Sequence, residues 1–167
     1  MENPERRPEP LVLIVDDDPD TTDLVSELIE RHAMRPVRAG SVSEAVYALE
    51  VRPIRYVITD YSMPGEDGLA LLSQLQSRPE WAHIPATMIS GHDRDGDIAR
   101  AASERGARFM AKPLDLGALL ATVQSAVESA TGAVDPGREA TTMPAPPRAR
   151  GAIVEIDSTR KRDPRSE

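Results

Sequence analysis

The sequence contains no cysteine among its 167 residues, which excludes disulfide bonds, thiolate catalysis and cysteine-ligated metal sites. No stretch approaches the ~18 consecutive apolar residues of a membrane-spanning helix, so no membrane span is expected. Residues 1–10 lack the apolar core of a secretory signal. Together these absences favour a cytoplasmic protein.

The chain also has no excess of positive charge. Its net charge is −8, so the broad basic surface typical of a nucleic-acid-binding domain is missing and no DNA partner is expected. Residues 131–167 hold 7 basic and 6 acidic residues, which leaves a net charge of −9 on residues 1–130. The acidic excess therefore belongs to the part of the chain that has the pattern of a folded domain.

Lysine is scarce, because only two of the 20 basic residues are lysines, Lys112 and Lys161. Lys112 stands directly before Pro113, at the end of an apolar segment. A lysine is a compact, flexible point charge, suited to contact with a single phosphate or carboxylate group. Taken alone, Lys112 is better explained as chance or an ordinary surface residue, so its meaning depends on its neighbours in the fold.

Five short apolar segments with strand character alternate with five segments of helical periodicity. The predicted strands are Leu11–Val15, Pro36–Ala39, Tyr56–Asp60, Ala86–Ile89 and Ala107–Ala111. Asp18 followed by Pro19 marks one helix start, Ser41 with Glu44 matches a capping box, and Asp67 can cap a third helix. Alternating strands and helices predict an α/β fold, with a five-stranded parallel sheet covered by helices on both faces.

The predicted helices differ in apolar content. The first carries a stripe of Leu24, Val25, Leu28 and Ile29 at helical spacing. The helix predicted for Asp93–Arg105 can bury only one isoleucine and a few alanines, so it is expected to be the least anchored. The last predicted helix has a clear leucine and valine stripe and ends near Ala130.

Both ends of the chain have the composition of disordered segments. Residues 1–9 are short and polar, and residues 131–167 contain five of the 15 prolines with mixed charge and few apolar residues. Ala152–Ile156 is an apolar island in this tail. It is either a peptide motif that adds to a partner's sheet edge or an incidental apolar patch. The folded domain is therefore expected to span residues 10–130.

Polar residues follow four of the predicted strands at the points where the strands end. Asp16 and Asp17 follow the first strand, Asp60 ends the third, Ser90 follows the fourth and Lys112 follows the fifth. Parallel strands deliver their carboxyl ends to one edge of the sheet, so these five side chains are expected to converge. Clustered carboxylate oxygens suit Mg²⁺, and Asp60 is a candidate nucleophile for phosphoryl transfer.

The motifs, taken in order, resemble those of response-regulator receiver domains of two-component signalling, and the resemblance covers about residues 10–130. Val15–Asp17 resembles the acidic pair of the family, and Asp60–Gly68 resembles its phosphoacceptor loop. Ser90 resembles its conserved hydroxyl position, and Lys112–Pro113 its lysine and cis proline. The resemblance implies a flavodoxin-like doubly wound sheet with strand order 2-1-3-4-5.

The resemblance also implies a function. Asp60 would accept a phosphoryl group from the phosphohistidine of a histidine kinase or of a histidine phosphotransfer protein. Mg²⁺ would be bound by the side chains of Asp17 and Asp60, by the backbone carbonyl of Ser62 and, through water, by Asp16. Ser90 and Lys112 would contact the phosphoryl group. Such a domain is a phosphoacceptor that assists its own phosphorylation and dephosphorylation, and it is not a turnover enzyme.

Further positions gain expected roles by the same resemblance. Phe109, the only phenylalanine, matches the switch aromatic that turns inward with Ser90, although plain packing explains it as well. Ser62 and His92 flank the site and are expected to tune the lifetime of the phosphoryl group, although a solvated loop histidine is the simpler interpretation. A downstream protein target is expected at the Asp93–Arg105 helix, the last strand and the last helix.

Three functions therefore stay open on sequence grounds. The first is a stand-alone response regulator that signals through protein contacts, since the tail has no helix-turn-helix pattern. The second is a receiver-like scaffold that binds its partner without phosphorylation. The third is a phosphatase of the haloacid dehalogenase type, whose Asp-x-Asp motif Asp16 and Asp18 would supply. The phosphatase interpretation leaves Asp60 without a role.

Overall fold

The computed structural model describes residues 8–93 and 96–132 of the chain. The predicted tail, with its apolar island at residues 152–156, lies outside these residues, and so do residues 1–7 at the other end. Within the described ranges, no helix combines the length and the apolar character that crossing a membrane requires.

The described residues form five strands and five helices in strict alternation. The strands are β1 (Leu11–Val15), β2 (Arg35–Ala39), β3 (Ile54–Asp60), β4 (Ala86–Ser90) and β5 (Arg108–Ala111). The helices are α1 (Pro19–Glu30), α2 (Val42–Val51), α3 (Gly68–Ser77), α4 (Asp97–Glu104) and α5 (Leu116–Gly132). All strands are parallel and their order is β2-β1-β3-β4-β5, which confirms the predicted doubly wound, flavodoxin-like sheet.

The sheet separates the core into two apolar layers, because successive side chains of a strand point to opposite faces. Leu13, Val15 and Val57 pack with α2, α3 and α4 in one layer. Val12 and Ile14 pack with α1 and α5 in the other. Since both faces of the sheet are covered, the central strands are mostly apolar and almost entirely buried, with Arg55 of β3 as an exposed exception. The polar residues at the strand ends therefore mark one edge of the sheet.

The three predicted helix starts are confirmed. The side chains of Asp18, Ser41 and Asp67 each accept hydrogen bonds from backbone amides in the first turns of α1, α2 and α3. The carboxylate of Glu44 reaches back to the amide of Gly40 at 2.7 Å, one residue before the usual partner in a capping box.

The helix predicted for Asp93–Arg105 is wrong in its first turn, because α4 begins only at Asp97. Gly96 has a left-handed backbone conformation, with φ +73°, so α4 begins directly after it. The carboxylate of Asp93 lies outside α4 and accepts hydrogen bonds from the amides of Ile98 at 3.2 Å and Ala99 at 2.9 Å. Asp93 is thus a side-chain cap for α4.

Candidate functional site

Three carboxylates meet at the carboxyl edge of the sheet. Asp16 and Asp17 directly follow β1, and Asp60 is the last residue of β3. One carboxylate oxygen from each lies within 4.8 Å of the others. Asp16 and Asp60 are buried, whereas Asp17 is exposed. Such a group of oxygen ligands suits a divalent cation with a preference for oxygen.

The buried position of Asp16 has an electrostatic consequence. Burial raises the pKa of its carboxyl group, and the negative charge of Asp60 adds to this effect. The amide of Asp18 donates a hydrogen bond to Asp16 Oδ1 at 2.9 Å, which works in the opposite direction. The net result is a raised pKa, so the ionised form of the Asp16 carboxyl group is less favoured here than in water.

Lys112 contributes the positive charge of this edge. Its Nζ lies 3.0 Å from Asp60 Oδ1, and the Lys112–Pro113 peptide is cis, as the resemblance implies. Partial burial lowers the pKa of the Lys112 ammonium, but the hydrogen bond to Asp60 and its charge outweigh this, so that the pKa is raised overall. Lys112 therefore remains a cation beside the Asp60 carboxylate.

Ser90 reaches the same edge through the register of the sheet. Asp60 pairs with Ile89, the residue before Ser90, and Ser90 pairs with Ala111, the residue before Lys112. The Ser90 hydroxyl is buried and accepts a hydrogen bond from the amide of His92 at 3.2 Å. Adjacent strands thus carry the carboxylate, the hydroxyl and the ammonium to neighbouring positions.

Asp18 serves α1 and not this cluster. Its carboxylate accepts hydrogen bonds from the amides of Asp20 and Thr21 at 3.3 Å and from the Thr21 hydroxyl at 2.6 Å. The bond from the Thr21 hydroxyl is the main reason why the pKa of Asp18 is lowered. The second aspartate of an Asp-x-Asp phosphatase motif is therefore engaged elsewhere.

The remaining predicted site residues lie in less constrained surroundings. Ser62 and His92 are exposed, each two residues beyond a strand end. Phe109 is half-buried in β5, where it pairs with Met88. The roles predicted for the Ser62 carbonyl, for His92 and for Phe109 stay predictions.

Gly68, which the sequence interpretation passed over, supports the backbone of Asp60. It is the first residue of α3, and its amide donates to the carbonyl of Tyr61 at 2.9 Å. A Cβ atom at this position would lie 2.3 Å from the carbonyl oxygen of Asp60 and 3.3 Å from Thr59 Oγ1. The sequence does contain a signal for this contact, because a glycine directly after a capping aspartate indicates that another part of the backbone comes close to it.

The variant Gly68→Ala is therefore expected to lower the melting temperature. The new methyl group must displace backbone atoms, and crowding of this kind costs about 1–3 kcal/mol. Gly117→Ala is the matched control, because Gly117 lies in the first turn of α5 and its added Cβ meets only a carboxylate oxygen of Asp115 at 3.4 Å. Thermal melts of the two variants test this, and an unchanged melt for Gly68→Ala would contradict it.

The sheet order and this edge define a class of protein: a flavodoxin-like domain with an acidic, lysine-bearing site at the carboxyl ends of its strands. Comparison with known proteins gives the family. The model of the response regulator receiver domain matches residues 12–124. The chain belongs to the family of response regulator receiver domains.

Individual relatives agree with this assignment. The chain is 30% identical over 113 residues to an uncharacterized 14.6 kDa protein of Leptolyngbya boryana, covering 68% of this chain and 86% of that protein. It is 32% identical over 108 residues to the two-component response regulator ORR3 of Oryza sativa subsp. indica, covering 64% and 82%. Other matched relatives are much longer, and the chain spans only 14% to 25% of three of them.

A solved structure shows the same fold. The response regulator receiver protein from Pseudomonas putida is 30% identical, with a TM-score of 0.67 over 72% of this chain and 99% of that one. Receiver domains of this family are phosphorylated on an aspartate, interact with histidine kinases or phosphotransfer proteins, and typically bind Mg²⁺ in an acidic pocket. They are phosphoacceptors and not conventional enzymes.

Proposed function

We propose that this chain is a response regulator that accepts a phosphoryl group on Asp60. One observation carries the proposal: the Asp60 carboxylate lies within an acidic cluster and is paired with Lys112 at 3.0 Å. In the transfer, a carboxylate oxygen of Asp60 attacks the phosphorus of a phosphohistidine. The phosphorus–nitrogen bond breaks, and the histidine nitrogen keeps the electron pair.

The three carboxylates fit a magnesium ion. Oxygen ligands are what Mg²⁺ prefers, and the cluster holds more negative charge than Lys112 alone can offset. In this proposal, Asp17, Asp60 and the Ser62 carbonyl hold the ion, with Asp16 acting through water. A bound ion would supply positive charge that offsets the charge of the transferring group.

Ser90 and Lys112 act on the other oxygens of the phosphoryl group. The Lys112 ammonium stays charged beside Asp60, so it can offset the negative charge that the phosphoryl group brings. The Ser90 hydroxyl is at a strand end beside Asp60 and can donate to a phosphoryl oxygen. The hydroxyl can donate to a phosphoryl oxygen while it still accepts from the amide of His92, so a shift of Ser90 toward the phosphoryl group acts on that contact as well.

Incubation with acetyl phosphate and Mg²⁺, followed by intact-mass analysis, tests the proposal against its two alternatives. A single phosphoryl group gained per chain is the expected result. Absence of any gain would favour the phosphorylation-independent scaffold. Steady turnover of a generic ester such as p-nitrophenyl phosphate would favour the phosphatase.

The signal is proposed to leave the site through α4, β5 and α5. Ser90 contacts the His92 amide, and the next residue, Asp93, caps α4 through the amides of Ile98 and Ala99. Only Ala102 of α4 is fully buried, so little apolar packing holds this helix in place. A movement of Ser90 toward the phosphoryl group therefore reaches α4 through two consecutive hydrogen-bonded contacts.

Activation with beryllofluoride, a phosphoryl mimic, is expected to increase hydrogen exchange at the amides of Ile98 and Ala99. These amides lose protection when Asp93 moves with the loop. The amide of Ala70, which Asp67 caps at the start of α3, is the internal reference and should be unaffected. Equal exchange at Ile98 and Ala99 with and without the mimic would contradict this route.

A further inference from the structure

A second concavity lies at the opposite edge of the sheet, where β3 and β4 begin. It has a volume of about 540 Å³ and opens between the turn that joins α2 to β3 and the segment that joins α3 to β4. Its charged lining consists of Arg52, Arg55 and Arg78, with Glu50 and Glu80, and His83 lies beside them. We call it the arginine cleft. It shares no residue with the site around Asp60.

Arg52 and Arg55 have guanidinium groups without a hydrogen-bond or ion-pair partner in the described part of the chain. Within the described residues Arg35 and Arg108 also lack a side-chain partner, whereas the arginines that end α1, α3 and α4 all have one. Arg31 is bound to Glu27, Arg78 to Glu50, and Arg105 to the Ala101 carbonyl and the Ser73 hydroxyl. The arginine cleft thus contains two cations that are free to bind a ligand.

Hydrogen bonds of the backbone hold the turn at Arg52, which leads into β3. The amide of Arg52 donates to the carbonyl of Ala48 at 3.0 Å, and its carbonyl accepts from the amide of Ile54 at 2.9 Å. Pro53 between them has a fixed φ and cannot open the turn by rotation about that bond. A short, hydrogen-bonded turn therefore holds the backbone of Arg52 in place, and Arg55 follows as the second residue of β3; the side chains of both are exposed.

Arg78 supplies a third guanidinium group on the opposite wall. It lies over the ring of Trp81, 4.2 Å from the ring centre, and its NH1 is 3.2 Å from Glu50 Oε1. The amide of Trp81 donates a hydrogen bond to the carbonyl of Arg78 at 2.9 Å. The turn that this bond closes and the stacking of the guanidinium group on the ring stabilise each other. Arg78 is therefore the most constrained of the three guanidinium groups.

Helix ends explain part of this arrangement but not all of it. Cations are favoured where α2 and α3 end, because the carbonyl end of a helix carries partial negative charge. That accounts for Arg52 and Arg78, which follow the last residues of the two helices. Arg55 is the second residue of β3 and gains nothing from a helix end, yet it faces the same cleft. The helix dipole therefore leaves the position of Arg55 unexplained.

We propose that the arginine cleft binds a small polyanion with at least two phosphate or carboxylate groups. The guanidinium group matches both kinds of oxyanion in bidentate geometry, and the two unpaired groups of Arg52 and Arg55 suit a ligand with two charged groups, while Arg78 is paired with Glu50. The volume falls in the range of small-molecule sites, roughly 300–1,000 Å³. A long polyanion is disfavoured, because the net charge of −9 on residues 1–130 would repel it outside the cleft.

Trp81 allows a direct test, because it is the only tryptophan of the chain and lines the arginine cleft. Pyrophosphate and citrate are titrated separately into the full-length protein at constant ionic strength without Mg²⁺, and the tryptophan fluorescence is followed. A saturable change with at least one of the two is expected. The stronger of the two responses tells whether phosphate or carboxylate groups are preferred.

Two double variants, each of which removes two positive charges, make the test specific to the arginine cleft. Arg52→Gln with Arg55→Gln is expected to weaken binding at least tenfold. Arg35→Gln with Arg108→Gln removes two exposed arginines at the starts of β2 and β5, outside the cleft, and should leave binding unchanged. A response that does not saturate with either probe, or an equal loss in both double variants, would overturn the proposal.

The proposal does not depend on phosphorylation. The variant Asp60→Asn should bind the same probe with wild-type affinity, since Asp60 is at the other end of β3. Loss of binding in that variant would show that the probe acts at the acidic edge, and it would overturn the assignment to the arginine cleft.

Discussion

The variant Asp60→Asn is expected to gain no phosphoryl group from acetyl phosphate and Mg²⁺ and to keep the fold of the wild-type protein. Asparagine has the shape of aspartate, but its amide is too weak a nucleophile to attack phosphorus. The substitution removes the ion pair with Lys112, and it also removes the repulsion between Asp60 and Asp16. Since these effects oppose each other, we expect only a small change in the free energy of unfolding.

The control for this experiment is Asp67→Asn, which changes a nearby carboxylate of the same loop. Asp67 caps α3 by accepting from the amide of Ala70 at 3.0 Å, and asparagine caps helices nearly as well. This variant should take up the phosphoryl group like the wild-type protein. Intact mass and circular dichroism report the two properties separately. Wild-type uptake by a well-folded Asp60→Asn protein would show that another residue is the acceptor.

Magnesium is expected to raise the melting temperature of the wild-type protein in a concentration-dependent way. The metal-free edge has three close carboxylates, and the raised pKa of Asp16 shows that its ionised form is disfavoured there. A ligand that binds only the folded state stabilises it by about 2.7 kcal/mol at a hundredfold excess over its Kd. Melting curves across a magnesium titration measure this stabilisation directly.

Two neighbouring aspartates provide a matched pair for this titration. Asp17→Asn removes a proposed metal ligand and one like charge, so it should nearly abolish the magnesium response and leave the metal-free protein slightly more stable. Asp18→Asn changes a residue that caps α1 outside the cluster, so the response should remain. If Asp17→Asn kept the full shift while Asp18→Asn lost it, the metal site would have been assigned to the wrong aspartate.

The acidic edge was predictable because it depends on a single property of parallel sheets. Once Leu11–Val15 and Tyr56–Asp60 are recognised as parallel buried strands, the residues at their carboxyl ends must share one edge, and the structure brings Asp16, Asp17 and Asp60 together there. The role of Asp18 was also predictable, since an aspartate before a proline is a strong local signal for a helix start. The order of the strands came from the resemblance and not from the periodicity.

The features that were missed depend on contacts between distant parts of the chain. The start of α4 is set by the backbone of Gly96 and by Asp93 from outside the helix, which the weak periodicity of this segment does not show. Leu24 fits the apolar stripe of α1 but is 48% exposed, because the stripe is wider than the surface that α1 buries. The arginine cleft joins two turns that are more than 20 residues apart, so no local pattern reveals it.

The most direct measurement is the location of the acyl phosphate. The wild-type protein is incubated with acetyl phosphate and Mg²⁺ and then reduced with borohydride, which converts a phosphorylated aspartate into homoserine, and the peptides are sequenced by mass spectrometry. Asp60 as the acceptor predicts homoserine at position 60 only, in an amount that depends on Mg²⁺. Homoserine at position 16, 17 or 18 with none at position 60 would contradict the proposed function.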